Sequence, residues 1–146
     1  MKLLVLNGPN LNLLGIREPD IYGREDYQAL ERLVRETCRD EGMDVEILQS
    51  NHEGVLVDAI QNALGKADGI ILNPAAYTHT SIAILDALKA VNLPAVEVHL
   101  SDVKSRESFR QVSYAGMACV KTIMGKGLAG YREAILFLKQ YLTSAP

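Results

Sequence analysis

Tryptophan is absent from the 146 residues, and cysteine and phenylalanine occur only twice each. Cys38 and Cys119 stand far apart, with no CxxC spacing and no histidine close by in the sequence, so neither a metal site nor a redox pair is expected. Both are read as small core residues. No apolar run approaches the roughly 20 residues that cross a bilayer. The N-terminus enters a strand pattern at Lys2 where a secretory signal would place its apolar segment, and a cytoplasmic protein without a membrane partner is expected. An excess of positive charge is also missing: 15 Lys and Arg face 18 Asp and Glu, for a net charge of -3. A nucleic-acid partner would require the opposite balance. A small anionic substrate would have to be met by a local cluster of cations. No internal repeat, low-complexity tract or linker interrupts the chain.

What the sequence has is apolar content, 48% of residues, enough for one substantial core and a single domain over 1–146. Five β-branched apolar runs read as strands: Lys2 to Asn7, Asp44 to Gln49, Asp68 to Asn73, Ala95 to Leu100 and Cys119 to Met124. Helical spacing fills most of the gaps. Tyr27, Leu30, Val34 and Cys38 mark the first helix, and Leu56, Ala59, Ile60, Ala63 and Leu64 the second. Ile84, Leu85, Leu88 and Val91 mark the third, and Tyr131, Ala134, Ile135, Leu138 and Leu142 the last. The connection after Leu100 offers only a short helical stretch near Ser105 to Phe109. Alternating strands and helices give an α/β fold with a doubly wound five-stranded parallel sheet, flavodoxin-like, in strand order 2-1-3-4-5. Ligands of such sheets bind beyond the carboxyl ends of the strands, here between strands 1 and 3. Gly8 to Arg24 is long for a βα connection, and its segment from about residue 11 to 24 is expected to be a mobile active-site loop.

Polar clusters fall at three of those strand ends: Asn7-Gly8-Pro9-Asn10, Asn73-Pro74 through Thr80-Ser81, and Glu97-Val98-His99-Leu100-Ser101. At about 4.8 Å per strand the outer two lie roughly 10 Å apart, the span of one six-membered ring. Alternation puts Glu97, His99 and Ser101 on one face of strand 4 and Val96, Val98 and Leu100 on the other. A carboxylate two residues from an imidazole on one face fixes its tautomer and favours its protonated form, as a general acid requires. The alternative is a structural pair at the end of the sheet.

The long loop carries a possible base. A free tyrosine titrates near pH 10, so Tyr22 lies about 4 kcal/mol from use at neutral pH. One guanidinium about 4 Å away supplies a similar energy at an effective dielectric of 20, and Arg17 is on the same loop. Tyr22 as a simple loop anchor, with Arg17 solvated, stays open from these residues alone. Arg106 and Arg110, with Lys104, form a cationic patch after strand 4 and share a face if that stretch is helical. His79 is expected to open helix 3 facing the ligand, whereas His52 reads as a surface residue at the start of helix 2. Asp86 reads as an ordinary partner of Lys89. Gly125-Lys126-Gly127-Leu128-Ala129-Gly130 matches a dinucleotide fingerprint in the wrong unit, with no later strand or acidic residue to complete it.

Asn7-Gly8-Pro9-Asn10-Leu11, Arg17-Glu18-Pro19 with Tyr22-Gly23, Gln49-Ser50-Asn51, Asn73-Pro74 with Thr78-His79-Thr80-Ser81, Glu97-Val98-His99-Leu100-Ser101 and Arg106-Glu107 with Phe109-Arg110 together resemble type II 3-dehydroquinate dehydratase. They occur in family order over nearly the whole chain. The resemblance implies a lyase of the shikimate pathway that needs no cofactor. It would convert 3-dehydroquinate to 3-dehydroshikimate by anti elimination of water through an enolate. It implies Tyr22 as base, activated by Arg17; Asn10 holding the water that stabilises the enolate; and His99, oriented by Glu97, as acid. Asn73, Ser101 and the Leu100 amide would bind the substrate carboxylate and the neighbouring hydroxyl. His79, Arg110 and Asp86 would hold hydroxyls, with Asp86 acting across a subunit boundary of trimers that assemble into dodecamers, and Arg106 would join the substrate contacts. Lys104 departs from the family, standing where many members have histidine. A flavin carrier or receiver-like module of the same fold is the competing reading. It lacks a tryptophan to stack a flavin and an acidic cluster after strand 1.

Overall fold

Leu3 and Val5 of strand β1 (Lys2–Asn7) point to one face of the sheet and Leu4 and Leu6 to the other, and all four are buried. A strand covered on both faces must be apolar at every position, as parallel strands under helices are. The computed structural model describes residues 1–16 and 25–144. Around β1 it builds a five-stranded parallel sheet in the order β2-β1-β3-β4-β5. The remaining strands are β2 (Asp44–Gln49), β3 (Gly69–Asn73), β4 (Ala95–His99) and β5 (Lys121–Met124).

This is the expected order, with three strands shorter than expected for local reasons. Asp68 lies before β3, where its carboxylate accepts the Lys2 N–H at 2.8 Å. The Leu100 carbonyl turns away from the ladder to accept the Gly127 N–H at 3.0 Å. Cys119 closes a 3-10 turn, its N–H donating to the Gly116 carbonyl.

Helices α1 (Tyr27–Asp40) and α4 (Ala129–Ser144) cover the Leu3 and Val5 face. There Leu30, Val34 and Cys38 meet Tyr131, Ile135 and Leu138. Helices α2 (Glu53–Asn62) and α3 (Ile82–Val91) cover the other face through Leu56, Ile60, Ile84 and Leu88. Each fully buried aliphatic side chain contributes about 1.5–3 kcal/mol relative to exposure, so the two layers hold the strand tips firmly. Asp26 starts α1 by accepting the Ala29 N–H at 2.8 Å, and Ser81 starts α3 by accepting that of Ile84 at 2.9 Å. Among the described residues no helix is long and apolar enough to cross a membrane.

Three segments differ in detail from the expectation. The long connection after β1 opens with a 3-10 turn, Leu11–Leu13, whose Leu11 and whose following Leu14 are buried in the first core. The stretch after β4 is not one helix but separate 3-10 turns, Val103–Ser105 and Ser108–Arg110. Between them Arg106 is extended, which rules out a common α-helical face for Arg106 and Arg110. His79 ends a 3-10 turn, Ala75–His79, and does not open α3, because Ser81 takes the capping position.

Candidate active site

The tips of β1 and β3 approach so closely that only glycine fits between them. A Cβ on Gly8 would lie 2.4 Å from the Pro74 carbonyl oxygen, and the Gly8 N–H donates to the Asn73 carbonyl at 2.8 Å. Beyond this contact the chain turns at Asn10, whose φ of 71° is left-handed, a region asparagine tolerates better than most residues. The Asn51 side chain holds the turn by accepting the Asn10 N–H at 3.0 Å. Gln49 ties the same region by donating to the Gly8 carbonyl at 3.1 Å and to Asn51 Oδ1 at 3.2 Å. The Gln49-Ser50-Asn51 motif thus serves to seat Asn10.

Parity decides what stands at the tip of β4. Val96, Val98 and Leu100 enter the first core, while Glu97 and His99 occupy the opposite face. On that face β1 and β3 carry leucine and isoleucine. Glu97 is 1% exposed and His99 8%. The His99 Nε2 lies 2.9 Å from Glu97 Oε2. Ser113 Oγ donates to the same carboxylate oxygen, and Thr122 Oγ1 donates to Oε1 at 2.8 Å. Burial pushes the Glu97 carboxyl up, but the hydrogen bonds from His99, Ser113 and Thr122 and the His99 charge outweigh it and leave it below its ordinary value. An ionised carboxylate only accepts, so Nε2 carries a proton and Nδ1 is the ring nitrogen left for a ligand. The Glu97 cradle of Ser113 and Thr122 has no signal in the sequence: Thr122 meets Glu97 only through the β4–β5 register, and Ser113 comes from an irregular segment.

A cleft of about 90 Å³ opens at these tips. Asn10 lines it from the end of β1, Asn73 and His79 from the end of β3 and the turn beyond, and His99, Leu100 and Ser101 from β4. Arg106 and Arg110 close one side. The Asn73 side chain accepts the Ala75 N–H at 3.1 Å. His79 Nδ1 lies 2.8 Å from the Val112 carbonyl, which can only accept, so Nδ1 carries the proton and Nε2 is an acceptor in the neutral ring. Arg110 donates to Glu107 and sits 5.1 Å from the Phe109 ring centroid. The Arg110 hydrogen bond, with the charges of Arg110 and Arg106, holds the Glu107 carboxyl below its usual range. Gln111 braces the turn with donations to the Val103 and Arg106 carbonyls, each at 3.0 Å.

Glu97 stands behind His99 and does not line this cleft, and Asp86 is exposed on α3, apart from it. Arg17 and Tyr22 lie outside the described residues. A wider groove of about 390 Å³ runs past Lys2, Glu46, Asp58 and Lys66, away from the strand tips, and is lined by no histidine. Among the described residues no group of three or more His, Cys, Asp or Glu could hold a metal ion. Cys38 is buried and pushed up to about 11 by burial. The glycines of the rejected dinucleotide pattern are explained by the backbone. Gly125 and Gly127 have positive φ and donate to the Ser101 and Leu100 carbonyls, fastening β5 to the tip of β4.

Residues 1–139 match the family described as Dehydroquinase class II. The chain is 52% identical over 134 residues to a 3-dehydroquinate dehydratase of Corynebacterium glutamicum (strain R), covering 92% of each. It is 48% identical over 143 residues to one from Clostridium acetobutylicum, covering 98% of this chain and 99% of that one. A crystal structure of type II dehydroquinase from Butyrivibrio crossotus superposes with a TM-score of 0.94 at 50% identity, covering 95% of this chain and 97% of that one. With likeness over nearly its whole length in sequence and in fold, this chain belongs to the class II dehydroquinase family.

Proposed function

We infer that the chain is a 3-dehydroquinate dehydratase, a lyase of the shikimate pathway, and propose how its residues divide the work. Tyr22, with its phenol made acidic by Arg17, removes the proton beside the ketone of 3-dehydroquinate. The resulting enolate is stabilised by a water held by Asn10. His99, its ring fixed and charged by Glu97, gives its Nδ1 proton to the departing hydroxyl on the opposite side of the ring, and 3-dehydroshikimate and water are formed. Asn73, Ser101 and the Leu100 amide hold the carboxylate and the neighbouring hydroxyl, and His79, Arg106 and Arg110 hold the rest of the substrate. Asp86 reaches the site of a neighbouring subunit in a trimer, and trimers assemble into a dodecamer. No cofactor enters this scheme. A single catalytic domain over 1–146, a loop at about 11–24 that closes over the substrate, and a cytoplasmic location belong to the same proposal.

The observation that carries the reading is the buried Glu97–His99 pair, whose imidazole lines the cleft together with Arg106 and Arg110. A buried carboxylate is costly, and here its charge faces an imidazole that lines the cleft, which supports His99 as the acid. The test is ultraviolet absorbance of the conjugated enone formed from 3-dehydroquinate by the purified protein. Tyr22→Phe is expected to abolish turnover with the fold intact, and Arg17→Ala to do nearly as much damage. Full activity in Tyr22→Phe would remove the tyrosine from the role of base.

A further inference from the structure

Glu97 has more donors than its imidazole partner alone would need. Ser113 Oγ accepts the Gly116 N–H at 2.9 Å, which aims its single proton at Glu97 Oε2. Thr122 is the register partner of Glu97 across β4 and β5, so the two side chains share a face, and its hydroxyl reaches Oε1 at 2.8 Å. No side chain can come between them: a Cβ on Gly116 would lie 2.7 Å from Oε1 and 2.9 Å from Ser113 Oγ. We propose that Ser113 and Thr122 are positioning residues for the dehydration, holding Glu97 as an anion aimed at the imidazole and so keeping His99 protonated at Nε2 and ready to give a proton from Nδ1.

This rests on the functional reading above, and it goes beyond it in assigning control of the acid to two hydroxyls that do not line the cleft. A buried ion pair is weak support for a fold, since apolar residues of similar volume commonly hold it as well. A clamp of three side-chain donors on one carboxylate is therefore better explained by a need for its charge. The other titratable or charged groups facing the carboxylate do not replace the hydroxyls. Cys119 is pushed up to about 12 by burial and by the negative charge of Glu97, so it stays a neutral thiol. A second opening of about 510 Å³, separate from the cleft, is lined by Glu97 and by His79, Lys104 and Arg110, but none of these three is hydrogen-bonded to the carboxylate.

The test is the pH dependence of kcat in Thr122→Val, Ser113→Ala and the double variant. Valine puts a methyl where the hydroxyl was and keeps water from Oε1, so Glu97 loses a donor without gaining space. Glu97 must be ionised for activity, and losing a hydrogen bond to the charged form raises the pH at which it protonates. The acid limb of kcat is then expected to move up by about one pH unit in each single variant, and further in the double one, with KM within about twofold. Thr122→Ser, which keeps the hydroxyl, should return the limb to its original place. A purely structural role would lower the urea midpoint and leave the limb unmoved. Folded Thr122→Val and Ser113→Ala enzymes with the original pH profile would overturn the proposal. If Ser113→Ala fails to fold, the Thr122→Val and Thr122→Ser pair decides alone. An unmutated protein without turnover would sink the functional reading instead. The nitrogen NMR titration of His99 in that protein and in Thr122→Val would still decide this one, coincident curves counting against it.

Discussion

Replacing Glu97 by glutamine removes one charge and almost no volume, which makes it a clean probe of the acid. In the native pair the imidazole nitrogen lies 2.9 Å from the carboxylate oxygen, which places the two charge centres about 4 Å apart. At an effective dielectric of 20 their attraction is about 4 kcal/mol. Glutamine still accepts the Nε2 proton through its carbonyl, recovering about 1 kcal/mol. Its amide nitrogen can face Thr122, whose hydroxyl can turn to accept. Reaching the proton-transfer step with a charged ring therefore loses about 3 kcal/mol of electrostatic support, which at roughly 1.4 kcal/mol per factor of ten is about a hundredfold in rate. In Glu97→Gln, kcat at pH 7 should drop by about that factor. KM should change little, because Glu97 does not line the cleft proposed to receive the ring. Enone absorbance measured from pH 5 to 9 reads both quantities, with a urea midpoint as control for folding. Turnover at pH 7 within threefold of the original, in a folded variant, would refute the reasoning.

Two further outcomes concern stability. Tyr131 is fully buried, and its hydroxyl donates at 2.6 Å to Asn7 Oδ1, while Asn7 Nδ2 donates to the Tyr27 hydroxyl at 3.3 Å. Tyr131→Phe should cost about 1–3 kcal/mol by leaving a buried acceptor unmet, seen as a lower urea midpoint at unchanged slope; a loss under about 0.5 kcal/mol would show that Asn7 finds another donor. For pH, the Glu97 carboxyl is held below its ordinary 4.5 in the folded chain, so the unfolded chain binds the proton first. Its contribution is fully present above about pH 4.5 and is lost as the pH falls through the folded value. The original protein should therefore lose more stability than Glu97→Gln between pH 5 and pH 3, and equal losses by urea titration would contradict the assigned shift.

The sheet was legible because both its signals are local. Apolar runs such as Leu3 to Leu6 announce strands covered on both faces, and strict βα alternation leaves few topologies. The pairing of Glu97 with His99 was legible for the same reason, since strand parity needs no knowledge of neighbours. Parity says nothing of what crosses the strand, however. Thr122 required the β4–β5 register, and Ser113 lies in a segment whose shape is set by 3-10 turns and side-chain bonds, not by any period. The supposed helix after β4 failed on the same ground: i,i+4 arginines suggest a helical face, but Asp102 caps a short turn by accepting the Lys104 N–H at 3.1 Å, and the chain is extended again by Arg106. His79 was misplaced by a few residues because Thr80 and Ser81 are both capable caps, and only the hydrogen bond from Ile84 chooses between them.

Position in the sheet also determines which half of the site can adjust. The β4 ladder joins Glu97 to Leu72 on one side and to Thr122 on the other, and His99 to Met124. Glu97 is held by both neighbours, and His99 by β5 and by its bond to Glu97, so this pair has little freedom to follow a substrate. In the proposed mechanism the acid is thus set in place before substrate binds, which lowers the reorganisation needed when the leaving hydroxyl takes its proton. The cations that line the cleft, Arg106 and Arg110, come instead from short turns braced by Gln111 and Glu107, side chains that can rearrange at small cost. Substitutions at the β4 tip should therefore act on kcat, whereas those in the turns that carry Arg106 and Arg110 should act first on KM.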